Sequence, residues 1–170
     1  GPEEELTLTE NTQPALMAVS LAIMRVLESE GGIDLTNAGK FVAGHSLGEY
    51  SALTAAKTFS IADAARVLKA RGDAMQKAVP VGEGSMAALM GVDLDIAEEI
   101  AAEASAAGVC MAANDNAPSQ IVISGATKAI EKAVEIAAEK GAKRSVILPV
   151  SAPFHCAMMA PAAEVMAEVL

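Results

Sequence analysis

The chain has 170 residues, 52% hydrophobic but only 2% aromatic, with no Trp. Such a chain can bury a substantial core of Ala, Val, Ile, Leu and its nine Met, which excludes a disordered polypeptide. A net charge of -10 argues against nucleic-acid binding, which draws on basic contacts to phosphate, and against an anionic membrane surface.

The two cysteines, Cys110 and Cys156, form no CxxC pair, and no Cys/His cluster has metal spacing. A reduced, cytoplasmic protein is expected. The longest apolar stretch, 15–27, is interrupted by Ser20 and Arg25 and is too short for a membrane span. Nor does the acidic start resemble a signal peptide.

In chain order, a first helix is expected from Thr12 as N-cap, with Pro14 in its first turn and a stop at Gly31-Gly32. Residues 40–43 read as a buried strand. Residues 44–48 then turn sharply into a helix through 50–53. Ser60 caps the next helix with Asp63 as capping-box partner, and that helix runs over 64–78 and ends before Pro80. Gly82-Glu83-Gly84 breaks the pattern. Beyond it come a strand at 86–90, a helix at 96–106 and a strand at 109–113. A turn at 114–119 leads to a strand at 120–124. Thr127 caps a helix to Lys140, closed by Gly141, and a last strand covers 143–149.

The order β-α-β-β-α-β is that of a ferredoxin-like module. The expected fold class is therefore α/β in two parts. Residues 1–83 and 150–170 belong to a hydrolase-like large subdomain on a parallel sheet, and 84–149 form an inserted ferredoxin-like small subdomain. Only one strand falls in the large part, and one strand makes no sheet. The helical pattern at the C-terminal end also lacks a stop signal. Both features predict a fragment of a longer protein.

Gly44-His45-Ser46-Leu47-Gly48 carries the chemistry. A GxSxG between strand and helix is a nucleophile elbow: the glycines allow the tight turn that exposes the serine. The N-H of Leu47, at the helix N-terminus, faces the developing oxyanion. A serine hydroxyl needs a base, and the chain holds only His45 and His155. Adjacent side chains at such a turn diverge, so His45 is expected to pack locally. His155, in an irregular segment at 150–156, is the expected base. Asp73, Asp93, Asp95 and Asp115 fall between serine and histidine in chain order, but none has a motif around it. An orienting carboxylate and a backbone carbonyl both remain open. Arg71, by composition alone, reads as part of a solvated helix face.

Five blocks then resemble a known family. They are Thr9-Glu10-Asn11-Thr12-Gln13-Pro14-Ala15-Leu16, residues 44–53, Arg71-Gly72-Asp73-Ala74-Met75-Gln76, Gly84-Ser85-Met86-Ala87-Ala88 and Pro153-Phe154-His155-Cys156. In this order they resemble the malonyl-CoA:acyl carrier protein transacylases of bacterial type II fatty acid synthesis, over essentially the whole chain. The resemblance implies that Ser46 carries the malonyl group as an ester and that His155 is its base, held by backbone carbonyls. It implies Leu47 N-H as an oxyanion donor and Arg71 as a bidentate clamp on the free malonyl carboxylate, reversing the compositional reading. Met75 and Phe154 are implied in the acyl pocket, with Phe154 and Leu47 of the malonyl-selective type. Asn114 and Asn116 match an asparagine-rich loop, structural rather than catalytic.

The implied partners are malonyl-CoA, as substrate, and acyl carrier protein, with no metal or redox cofactor. Carrier protein is acidic, so Lys143 and Arg144 are the expected docking pair; an ordinary solvated strand end explains them equally well. The family's Gly-Gln-Gly strand and the segment orienting the histidine have no counterpart in residues 1–170. Loss of one oxyanion donor costs about 100- to 1,000-fold in rate, so the fragment is expected to be nearly inactive. Rival readings are a serine hydrolase or thioesterase on the same Ser46-His155 pair, a non-catalytic acyl-CoA or carrier-protein binding module, and a polyketide synthase acyltransferase domain.

Overall fold

A computed structural model describes the backbone of residues 1–170 and every side chain except that of Thr36. The first half is helical: α1 (Glu3–Leu6), α2 (Thr9–Ser29), α3 (Leu35–Ala38), α4 (Gly48–Ala55) and α5 (Ile61–Ala78). Then come β1 (Gly84–Met90), α6 (Leu94–Ala104), β2 (Cys110–Ala117), β3 (Gln120–Ala126), α7 (Thr127–Glu139) and β4 (Arg144–Ile147). After an irregular segment, α8 (Ala160–Val169) closes the chain. The architecture is α/β. No helix among the described residues is long and apolar enough to cross a membrane.

The four strands form one antiparallel sheet in the order β2-β3-β1-β4. One face packs on α6 and α7 through Leu89, Ile100, Ile121, Ile123, Ile130 and Ile136. Each such fully buried aliphatic side chain contributes about 1.5–3 kcal/mol. The other face carries Met86, Ala88 and Val122, against which Leu148, Val150 and Phe154 pack, so the sheet supports the segment that bears His155. The helices make two further cores. Met17 and Leu21 of α2 meet Ala64 and Leu68 of α5. Ala74, Met75 and Val79 meet Ala152, Met159 and Ala162. At the α2–α5 crossing a Cβ on Gly72 would lie 2.6 Å from Glu10 Cα, so only glycine permits this approach.

Several expectations change. Helix α2 begins at Thr9, not Thr12, and its N-cap Leu8 offers no side-chain bond. A distant group substitutes: Thr9 N-H donates to Ser151 Oγ at 3.2 Å. Pro14 therefore lies inside the helix, where it cannot donate to the Glu10 carbonyl. Residues 40–43 form no strand, and Phe41 is 92% exposed; a strand needs a partner, and none pairs with this segment among the described residues. Strand β2 runs to Ala117 through two irregularities, leaving Pro118-Ser119 as the turn. Pairing with β3 overrides the turn preference of Asn114 to Asn116. Thr127 is the first residue of α7 rather than its cap; its hydroxyl donates to Gly82 O at 2.7 Å. Ser60 caps α5 as expected, accepting from Asp63 N-H at 3.0 Å.

Candidate active site

The elbow is a tight reversal. Gly48 N-H donates to His45 O at 2.9 Å and Glu49 N-H to Ser46 O at 3.1 Å. A Cβ on Gly44 would lie 1.9 Å from the Gly48 carbonyl carbon, so the crossing is closed to any side chain. Ser46 itself has φ 52°. A left-handed conformation in a non-glycine residue costs about 1–3 kcal/mol and persists where its surroundings enforce it.

Ser46 Oγ has two partners: His155 Nε2 at 3.0 Å and Arg71 Nη2 at 3.1 Å. His155 also has positive φ, 58°, and sits in a braced segment. Cys156 Sγ donates to Pro153 O at 3.2 Å, and Gln76 Nε2 donates to Ser151 O at 3.3 Å. Pro153 packs on β1 where only Gly84 leaves room. Although His155 reaches solvent, partial burial pushes its pKa below the ordinary 6.5, and the charges of Arg71 and His45 push the same way. The neutral imidazole, which can accept the Ser46 proton, is thereby favoured at neutral pH. None of the four aspartates bonds to His155. Asp73 accepts from Lys69 at 2.9 Å, and Asp93 caps α6.

Arg71 is half-buried. Burial lowers its pKa, opposed by Tyr50 and Glu49, and a guanidinium stays charged regardless. Its Nη1 donates to Gln13 Oε1 at 2.5 Å, and its head lies 5.6 Å from the Tyr50 ring centroid. Among the described residues it makes no salt bridge. A desolvated cation without a carboxylate is unfavourable unless an anion arrives to pair with it.

A cavity of about 110 Å³ gathers Ser46, Leu47, Arg71, Met75 and Phe154 with Thr9, Thr12 and Gln13. Larger cavities lie elsewhere, such as one of about 360 Å³ beside Leu21, Met24 and Phe59. Leu47 is the N-cap of α4, and its N-H has no hydrogen-bond partner among the described residues. Ser46, His155, Leu47, Arg71, Met75 and Phe154 are thus assembled at one place. Lys143 and Arg144 are not. They flank the Met90 end of β1, whereas the His155 segment meets its Gly84 end. Six residue rises separate those ends by about 20 Å.

His45 Nε2 lies 3.0 Å from Asn116 Oδ1 on β2, so its partner is distant in the chain rather than the local one expected. Two groups in the network were not singled out from sequence: Gln13, whose signal is a buried amide within an apolar helix pattern, and Ser151, for which no local signal exists. Among the described residues no group of three or more His, Cys, Asp or Glu could hold a metal ion.

The chain matches the acyl transferase domain family over residues 1–170. It belongs to that family. It is 48% identical, over 100% of its length and 52% of the relative's, to the malonyl CoA-acyl carrier protein transacylase of Bacillus subtilis (strain 168). Identity to the enzyme of that name from Escherichia coli (strain K12) is 47%, over 98% of this chain and 53% of the other. Among solved structures, the acyl-carrier-protein-S-malonyltransferase of Bartonella henselae is similar with TM-score 0.93 and 61% identity, covering 99% of this chain and 54% of that one. A type II PKS acyl-carrier protein in complex with its malonyl-transacylase gives TM-score 0.93 at 44% identity, over 99% of this chain and 53% of that one. The chain thus spans about half the length of the relatives it matches.

Proposed function

We propose that this chain carries the acyl-transfer site of a malonyl-CoA:acyl carrier protein S-malonyltransferase of fatty acid biosynthesis. The observation that carries the reading is the half-buried guanidinium of Arg71, without a carboxylate partner and 3.1 Å from Ser46 Oγ. A malonyl group ends in the anion this cation lacks. An uncharged acyl group does not.

In the proposed cycle His155 Nε2 takes the Ser46 Oγ proton as Oγ attacks the malonyl thioester carbon. Leu47 N-H donates to the resulting oxyanion. Collapse breaks the C–S bond, and His155 returns the proton to the departing CoA sulfur. The pantetheine thiol of the carrier protein then gives its proton to His155 and attacks the malonyl-serine carbon, and Ser46 Oγ leaves with that proton. Arg71 holds the malonyl carboxylate throughout, while Met75 and Phe154 bound the acyl chain. Lys143 and Arg144 serve as a docking point distant from the chemistry. In the domain organisation we propose, 84–149 is a ferredoxin-like insertion into a large α/β body to which 1–83 and 150–170 belong.

The test is acyl loading on Ser46 in the Arg71→Ala variant, followed by peptide mass spectrometry. Malonyl loading is expected to fall far more than acetyl loading. An equal fall for both would refute the clamp and favour a general serine hydrolase. No adduct on Ser46 in the unsubstituted protein would favour a binding module or a nearly inactive fragment. Charge reversal of Lys143 and Arg144 is expected to weaken carrier-protein binding and leave the malonyl-CoA half-reaction intact; unchanged binding dismisses the pair.

A further inference from the structure

Gln13 lies in α2 with 2% of its surface exposed. Its Oε1 accepts from Arg71 Nη1 at 2.5 Å, and its Nε2 donates to Thr9 Oγ1 at 2.9 Å and meets Met75 Sδ at 3.4 Å. The orientation of the amide is settled by chemistry. A guanidinium only donates, so the oxygen must face Arg71 and the nitrogen is left for Thr9. Thr9 N-H in turn bonds Ser151 Oγ, in the segment that carries His155. One buried chain of polar contacts thus links the cation to the base's own loop.

We propose that Gln13 is the positioning residue that aims Arg71 into the acyl cavity, and that its neutrality is what makes the site selective for acyl groups ending in a carboxylate. An arriving carboxylate displaces Arg71 Nη2 from Ser46 Oγ. The Gln13 bond and the Tyr50 ring contact remain to hold the flexible arginine in place. A glutamate here would have the same shape but the opposite consequence. It would pair with the guanidinium inside the protein and cancel the charge that the substrate needs. An amide oxygen fixes the direction of the cation without neutralising it.

This inference rests on the carboxylate-clamp reading of Arg71, and the experiment separates the two. Malonyl and acetyl loading from their CoA thioesters are measured for the intact protein and for Gln13→Glu, Gln13→Met and Arg71→Ala, with thermal melting of each. The expected result is that both Gln13 variants lose about 10- to 100-fold in malonyl-over-acetyl kcat/KM, the range for one hydrogen bond to a charged group. For Gln13→Glu the loss should fall in KM for malonyl-CoA. If Gln13→Glu does not fold, Gln13→Met decides, since it removes the acceptor at similar volume. Equal losses for malonyl and acetyl, or an unchanged ratio, would overturn the role of Gln13 as long as Arg71→Ala abolishes the preference. A preference that survives in Arg71→Ala as well would overturn the clamp itself.

Discussion

The two glycines of the elbow look alike in sequence, but the structure treats them oppositely. A Cβ on Gly44 would sit 1.9 Å from the Gly48 carbonyl carbon, 2.0 Å from its oxygen and 2.3 Å from Glu49 N. Carbon atoms settle at about 3.5–4.0 Å, so Gly44→Ala must open the crossing by about 1.5 Å. The atoms in the way are backbone, so no side-chain rotation relieves the clash. That opening moves Ser46, whose Oγ has partners at 3.0 and 3.1 Å, and a misplacement of about 1 Å costs about 100-fold in rate. A Cβ on Gly48 meets nothing within 4 Å. Gly48→Ala is expected to keep its acylation rate and to gain up to about 1 kcal/mol in stability, since alanine restricts the unfolded chain more than glycine. The assay is the rate of malonyl-Ser46 formation by rapid quench and mass spectrometry, with urea melts beside it. Gly44→Ala within about threefold of the unsubstituted protein, or Gly48→Ala as damaging as Gly44→Ala, would refute the reasoning.

The lowered pKa of His155 places the acid limb of the acylation rate below the ordinary imidazole value of 6.5. Arg71→Gln removes a repelling charge and should move that limb to higher pH, as read from the pH profile of acetyl loading. The same lowering means that the unfolded chain binds the His155 proton first. Stability should therefore fall as pH drops from 6.5 toward the folded value, checked by urea melts across that window. Ser124 is fully buried on β3, and its hydroxyl has no partner among the described residues, so Ser124→Ala should leave stability unchanged or raise it by about 1 kcal/mol in urea denaturation. Ile130→Ala empties part of the core between α7 and the sheet and should lower the unfolding free energy by about 2–5 kcal/mol.

The sheet with α6 and α7 is readable because its elements carry local signals: short apolar runs, Gly82-Glu83-Gly84 and Gly141 as punctuation, and a turn between two of the strands. Its errors were in bounds, where β2 took in Asn114 to Asn116 because pairing with β3 outweighs local turn preference. The elbow and both histidines were legible from GxSxG spacing and scarcity, since a chain with two histidines offers few bases. Arg71 is legible only through the resemblance: its helix position alone reads as solvated, and it is the fold that puts its head beside Ser46 and Gln13. The start of α2 was misread for the same reason: its first N-H is satisfied by Ser151, and no pattern near Thr9 encodes that residue. Strand 40–43 failed because a strand is a property of a pair, and its apolar pattern alone cannot make one.

The site's bonds have a further property in their separation along the chain. Thr9 and Ser151 are 142 residues apart, Ser46 and His155 109, and Gln13 and Arg71 58. The β2–β3 hairpin closes over a two-residue turn. Local pairings form early, and contacts between distant residues must wait for the long loops between them to close. On refolding, sheet structure is therefore expected to return before acylation does. The nucleophile, the cation and the base meet only after both ends of the chain have come in, so activity reports completion of the fold rather than its beginning.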